Sequence, residues 1–365
     1  MKKKLFWVTL MIVGLTLVFS CRENGNEYGK GGENPGGNNE KPGENNEKPE
    51  TPIDDSSKVV LAYLTSWSSI LPDPNAVSHI SYAFGQVNET FNGVKIDNEN
   101  RLNSIVDLKK KKPSLKVFLS IGGWGSGGFS EMAMTENTRK SFAADCKRVV
   151  TQFQLDGIDL DWEYPTSNAA GISTSPKDRE NFNLLMQEIR NAIGKNKFLI
   201  FASTADAQYY DLKPLAAIVN FVNIMAYDID RAPYHHSALH RSDMVRRISA
   251  DEAIDKHIAG GMPVEKLVLG IPFYGRGAGE MTATYKEIPN LLAQGNTEKW
   301  DDVAKMPYLV NANGEVVLVY DNARSIGYKC EYLLERNLRG AMYWEYSQDD
   351  AEGTLRKAVW NGIMK

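Results

Sequence analysis

Residues 156–165 read Asp156-Gly157-Ile158-Asp159-Leu160-Asp161-Trp162-Glu163-Tyr164-Pro165, DGIDLDWEYP. The stretch alternates with the period of a β-strand, yet Asp159, Asp161 and Glu163 occupy every second position. A solvated edge strand is the simplest account, because a buried carboxylate costs several kcal/mol unless it is paired or protonated. The neighbouring segments argue otherwise.

Apolar runs flank it on both sides: Val59 to Tyr63, Ile80 to Phe84, Lys116 to Ile121, then Phe198 to Ser203, Phe221 to Tyr227, Leu267 to Phe273 and Gly340 to Trp344. With residues 157–161 they make eight strand candidates, separated by segments of helical spacing. Arg101 to Lys111 reads as a basic amphipathic helix. Glu136 to Phe153 carries Phe142, Cys146, Val149, Val150 and Phe153 on one face. Ser175 and Pro176 are expected to cap and open a helix that carries Phe182, Leu185, Met186 and Ile189. Continuous apolar strands alternating with helices predict a parallel sheet, and eight such units predict a (β/α)8 TIM barrel. An open doubly wound sheet is the alternative, but no Gly-rich phosphate loop follows the first strand. Residues 277–328, with Val316 to Tyr320 as an extra strand, are expected to form a small insertion between strand 7 and strand 8.

In a barrel the acids acquire a direction. Residues two apart share a face at about 6.5–7 Å intervals, so Asp159, Asp161 and Glu163 point into the barrel, with Glu163 nearest the C-terminal mouth. Leu160 and Trp162 then face the helices. Three stacked carboxyls cannot all ionise cheaply; they share protons, and one can stay protonated near neutral pH as a general acid. A structural ion-pair row would need a facing basic ladder, and no other strand offers one.

DGIDLDWEYP matches the DxxDxDxE signature of glycoside hydrolase family 18, the chitinase family, and the chain is identified as similar to it. Ser120-Ile121-Gly122-Gly123-Trp124 resembles the family's third-strand SxGG motif, and Met225-Ala226-Tyr227-Asp228 its sixth-strand MxYD. Gly270 to Arg276 (GIPFYGR) and Gly340 to Trp344 (GAMYW) resemble its seventh and eighth strands. The resemblance covers nearly everything after Val59. It implies a retaining glycosidase in which the substrate's own N-acetyl oxygen attacks the anomeric carbon, so that no second carboxylate serves as nucleophile. On that pattern Glu163 is the acid and then the base, Asp161 holds the acetamido N–H, Asp159 exchanges a proton with Asp161, and Tyr227 donates to the acetamido oxygen. Asp228 would bind sugar hydroxyls or tune Glu163, and Trp344 would floor the sugar at the cleavage point. Met225, Tyr63, Phe84, Gly123, Trp124, Tyr164 and Arg276 complete the candidate substrate-binding set, with Trp67 and Tyr274 as further cleft aromatics. Core packing is as ready an account of each aromatic taken alone, solvation of Arg276, and a turn after a strand of Gly122 and Gly123.

The implied substrate is a chitin chain or chito-oligosaccharide, cut at β-1,4 bonds next to N-acetylglucosamine. Alternatives are an endo-β-N-acetylglucosaminidase acting on the N-glycan chitobiose core and a sugar-binding lectin on the same fold, although family lectins lose the acid at the position of Glu163. No cofactor follows from the motif. His235, His236 and His240 beside Asp228 and Asp230 suggest a metal, but the HHSAL segment resembles a metal-free part of the family, so no metal is expected. An insertion shorter than in deep-cleft relatives predicts an open cleft.

The remaining features concern partners and place. The 42 basic and 46 acidic residues leave a net charge of −4, with no basic surplus for a nucleic acid. Lys2, Lys3 and Lys4 precede an apolar run from Leu5 to Phe19, the pattern of a signal peptide over residues 1–20. Val18-Phe19-Ser20-Cys21 resembles a bacterial lipobox, which makes Cys21 the lipidated first residue. Residues 21–57, rich in Gly, Asn, Glu, Pro and Lys, read as a disordered tether, and residues 58–365 as the catalytic domain. The expectation is a monomer held at the cell envelope by lipid on Cys21. Cys146 and Cys330 read as small buried hydrophobes rather than a disulfide.

Overall fold

The computed structural model describes Ile53 and residues 56–364. The expected signal peptide, Cys21 and most of the tether lie outside the described residues. Eight strands run in chain order: β1 Val59–Thr65, β2 His79–Val87, β3 Lys116–Gly122, β4 Gly157–Asp161, β5 Phe198–Thr204, β6 Phe221–Met225, β7 Leu267–Pro272 and β8 Gly340–Trp344. Each pairs in parallel with the next, and β8 pairs with β1, so the sheet closes into a (β/α)8 barrel.

Closure explains why the strands read as apolar runs rather than half-polar ones. Every residue of β1 is buried, because its two faces enter two different cores. Val59, Leu61 and Tyr63 turn inward with Phe118, Phe198, Ile200, Phe221, Val268 and Met342. Val60, Ala62 and Leu64 turn outward into the layer shared with the helices. The barrel floor is aromatic: His79 packs against the rings of Phe118, Phe198 and Phe221 at centroid distances of 5.6–6.0 Å. The acid row of β4 rises above this floor.

The helices follow their apolar spacing with two adjustments. Helix Glu136–Gln152 buries Phe142, Cys146, Val149 and Val150, and the Thr135 side chain caps it. The next helix spans Asp178–Ile193 and starts later than the Ser175-Pro176 pair implies. The carboxylate of Asp178 accepts from the Ser175 N–H at 2.6 Å and from Ser130 at 2.9 Å, while Ser175 Oγ accepts from the Lys177 N–H at 3.2 Å, so acid and serine together hold the turn before the helix. The segment read as a helix over 101–111 is helical over Glu99–Val106 and tightens into a 3-10 turn over Asp107–Lys110. Arg101 is buried within it and donates to the Ser69 and Ile70 carbonyls, which ties down the loop after β1. The extra strand read over Val316–Tyr320 runs Val316–Val319.

Between β7 and β8 lies a second, five-stranded antiparallel sheet made from Tyr274–Gly277, Thr282–Thr284, Thr297–Asp301, Met306–Val310 and Val316–Val319. It has its own small core of Ala283, Ile288, Leu309, Leu318 and Tyr320. Val94–Ile96 adds a short antiparallel strand to the end of β2. Cys146 and Cys330 are both buried as thiols.

Candidate active site

A cleft of about 1130 Å³ opens at the C-terminal mouth of the barrel. Strand β4 delivers Asp159 and Asp161 to the interior, with Glu163 two residues on, past the strand end. Asp159 is fully buried and Asp161 is 4% exposed, so the row enters the cleft only through Asp161 and Glu163. Trp162 faces the other way, stacked on Phe129 at 5.3 Å and 14°.

The partners of the acids are hydroxyls, not cations. Tyr63 Oη donates to Asp159 Oδ2 at 2.7 Å and Ser81 Oγ donates to the same oxygen at 2.8 Å. Ser120, the register partner of Asp159 on β3, favours the ionised form but makes no hydrogen bond of normal geometry. Burial outweighs these donors and pushes Asp159 up to about 6. Asp161 is driven well above the carboxylate range by burial, then by the charges of Glu163 and Asp159. Burial pushes Glu163 up to about 7, a hydrogen bond from Tyr164 opposes the shift and the Asp228 carboxylate adds to it. At neutral pH the row holds protons, and Glu163 can both give and take one at the cleft.

Asp228 is a carboxylate of the opposite kind. Burial alone would raise it, but His236 and Arg276 hold it well below the usual range. Arg276 meets it with two parallel contacts, Nε to Oδ1 at 2.6 Å and an Nη to Oδ2 at 2.7 Å. The guanidinium considered as a sugar contact is therefore committed to Asp228. Tyr227 Oη has the weak thioether acceptor Met342 Sδ at 3.8 Å, which leaves its donor available to a ligand.

Aromatic rings shape the rest. Trp344 stacks on Phe84 at 5.6 Å and 21° and tilts over Tyr63. Trp67 and Trp124 are 71% and 63% exposed on the cleft wall. Tyr164 lies between Trp124 and Tyr209, parallel to the latter at 5.0 Å and 2°. Met225 and Tyr274 also line the cleft. Two candidates act largely from behind the cleft surface. Tyr63 reaches the cleft lining but is only 2% exposed, and its hydroxyl donates to Asp159, so it also supports the site from below. Gly123 has φ +92°, and a Cβ there would lie 2.6 Å from the Phe84 ring, so its bareness seats Phe84. Gly122 is tighter still: with φ +124°, its Cβ would fall 2.0 Å from the Asp161 carbonyl oxygen.

The three histidines diverge. His235 faces Asp301, His236 lies beside Asp228, and His240 contacts Asp251. Among the described residues no group of three or more His, Cys, Asp or Glu converges as a metal site requires.

Sequence reading passed over Asp206 and Tyr209, in the turn after β5, and Arg231, Arg246 and Arg247, in the long loop after β6. The available signal was position: these segments follow the C-terminal ends of barrel strands, where such folds build their sites.

Residues 59–349 match the family described as glycosyl hydrolases family 18. The chain is similar to Chitinase A1 of Niallia circulans, 34% identical over 76% of this chain and 47% of that one, so it spans about half the length of this relative. It is 29% identical to Chitotriosidase-1 of Mus musculus over 82% of this chain and 75% of that protein. Among solved structures, a family 18 N-acetylglucosaminidase from Paenibacillus barengoltzii superposes with a TM-score of 0.77 at 32% identity, covering 84% of this chain and all of that one.

Proposed function

We propose that this chain, which belongs to glycosyl hydrolases family 18, hydrolyses β-1,4 bonds next to N-acetylglucosamine in chitin or chito-oligosaccharides, by a retaining, substrate-assisted mechanism. The observation that carries the reading is the proton-holding row of Asp159, Asp161 and Glu163, open to the cleft only at its last two members. Glu163 protonates the glycosidic oxygen. The acetamido oxygen of the sugar attacks the anomeric carbon and forms an oxazolinium, while Asp161 accepts a hydrogen bond from the acetamido N–H. Tyr227 donates to the acetamido oxygen and Asp159 takes up the proton that Asp161 releases. Water, deprotonated by Glu163, then opens the ring with net retention. Trp344 presents an aromatic face to the sugar, and Asp228, fixed by Arg276 and His236, keeps a negative charge near Glu163 that favours its protonated form.

Chito-oligosaccharides and accessible chains suit an open cleft better than crystalline polymer does. The test is turnover of chitopentaose against a high-mannose glycopeptide, with products and anomeric configuration followed by mass spectrometry and NMR. Release of β-anomeric N-acetylglucosamine oligomers is expected; turnover of the glycopeptide alone would instead identify an endo-β-N-acetylglucosaminidase, and binding without turnover of either a lectin. We further propose that Cys21 is lipidated and that residues 21–57 tether the barrel as a monomer to a cell-envelope membrane. Metabolic labelling with a fatty-acid analogue should mark the protein and fail on Cys21→Ala.

A further inference from the structure

Inside the barrel, above the aromatic floor, three strands converge on the base of the acid row. Asn223 on β6 donates from Nδ2 to Tyr63 Oη on β1 at 3.0 Å. Tyr63 in turn donates to Asp159 Oδ2 on β4 at 2.7 Å, and Ser81 on β2 donates to the same oxygen at 2.8 Å. All four side chains are buried. Asp159 Oδ1 and Asn223 Oδ1 have no hydrogen-bond partner.

A phenol has one proton to give. An amide NH2 can only donate, so it occupies the acceptor side of Tyr63 Oη and leaves that proton nowhere to point but Asp159. Turned over, the amide would offer its oxygen and compete for the same proton. Oδ2 is then filled by two hydroxyl donors, and a proton carried by Asp159 sits on Oδ1. We propose that Asn223 is a positioning residue: it fixes the direction of the Tyr63 hydroxyl, and so reserves Oδ2 of Asp159 for hydrogen bonds and Oδ1 for proton exchange with Asp161. The use made of that proton rests on the hydrolase reading; the orientation does not.

The titratable groups acting around Asp159 are Tyr63, Asp161 and Tyr227. His79 lies in the aromatic layer below, with Nδ1 2.8 Å from Ser78 Oγ. Removing the Asn223 donor weakens the Tyr63 bond to the ionised carboxylate, which raises Asp159 further. In Asn223→Ala, kcat on a chito-oligosaccharide should fall roughly 2–10-fold with KM nearly unchanged, within the span of losing one hydrogen bond between neutral groups. The acid limb of the pH–rate profile should move up by about half to one pH unit, while the alkaline limb set by Glu163 stays in place. Tyr63→Phe should move the same limb, and the double variant should lose less than the two single losses combined. An unmoved acid limb, or strictly additive losses, overturns the proposal. Should Asn223→Ala not fold, Tyr63→Phe paired with Asn223→Ser carries the same comparison. If the wild type turns over no substrate, the hydrolase reading fails separately. The pH at which thermal stability begins to fall, compared between wild type and Asn223→Ala, then decides the orientation alone.

Discussion

Replacing Asp159 with Asn should make the protein more tolerant of alkaline pH, and the size of the effect follows from burial. Asp159 is fully buried and its carboxyl is pushed up to about 6 in the folded chain, against roughly 3.9 in an unfolded one. A raised folded-state value means that the stability held below about pH 4 is lost as pH rises through about 6. The gap of about 2 pH units corresponds to about 3 kcal/mol. Asn keeps one oxygen for Tyr63 and Ser81 and has no proton to lose, so the variant escapes this loss. Its neutrality also relieves Asp161, one of whose burdens is the Asp159 charge, which adds in the same direction. Any fixed cost of the substitution drops out when only the pH-dependent part is read. Urea midpoints at constant slope, at pH 4 and pH 8, should show the variant gaining about 3 kcal/mol on the wild type across that window. In thermal scans this is on the order of 5–10 °C. Two stability curves that run parallel from pH 4 to pH 8 would refute the buried, proton-holding row.

Glu163→Gln should lower turnover by roughly 10²–10⁴-fold while calorimetric affinity for chitotetraose changes little; undiminished turnover would remove Glu163 as the acid. For the wild type, kcat/KM should decline as pH rises past about 7, where Glu163 loses its proton, and a profile still rising at pH 9 would contradict this. Away from the cleft, Lys329→Met should cost about 3–5 kcal/mol, because it strands Asp321, whose buried carboxylate meets Lys329 at 2.8 Å and also accepts from Ser237 and Ser325. Lys329→Met with Asp321→Leu should recover most of that loss in a urea melt, and a double variant no better than the single one would place the cost in packing instead.

The fold was legible because its signal is repetitive. Eight apolar runs with helical segments between them leave few topologies, and β1 illustrates why the runs have no polar face: both sides of it are covered. The acids were legible because polar residues at buried period-two positions violate that pattern, and such violations mark sites. Helix ends were less so. Asp178 shares the work expected of Ser175 because its carboxylate can reach both the Ser175 N–H and Ser130, a residue 48 positions earlier. No local rule contains Ser130.

The sequence by itself determined the strand order of types, the inward direction of Asp159, Asp161 and Glu163, and the motif that names their chemistry. These depend on the period of a strand and on neighbours along the chain. Tertiary structure alone decided which groups each acid meets. Arg276 could have been solvated and is instead clamped to Asp228, 48 residues away. Tyr63, read as a cleft aromatic, supports Asp159 from 96 residues away, and Asn223 aims it from 160. Closing the barrel brings these positions within 3 Å of one another. Hydrogen bonds act only at that range, so the partners of the acids were fixed by closure and not by any local spacing.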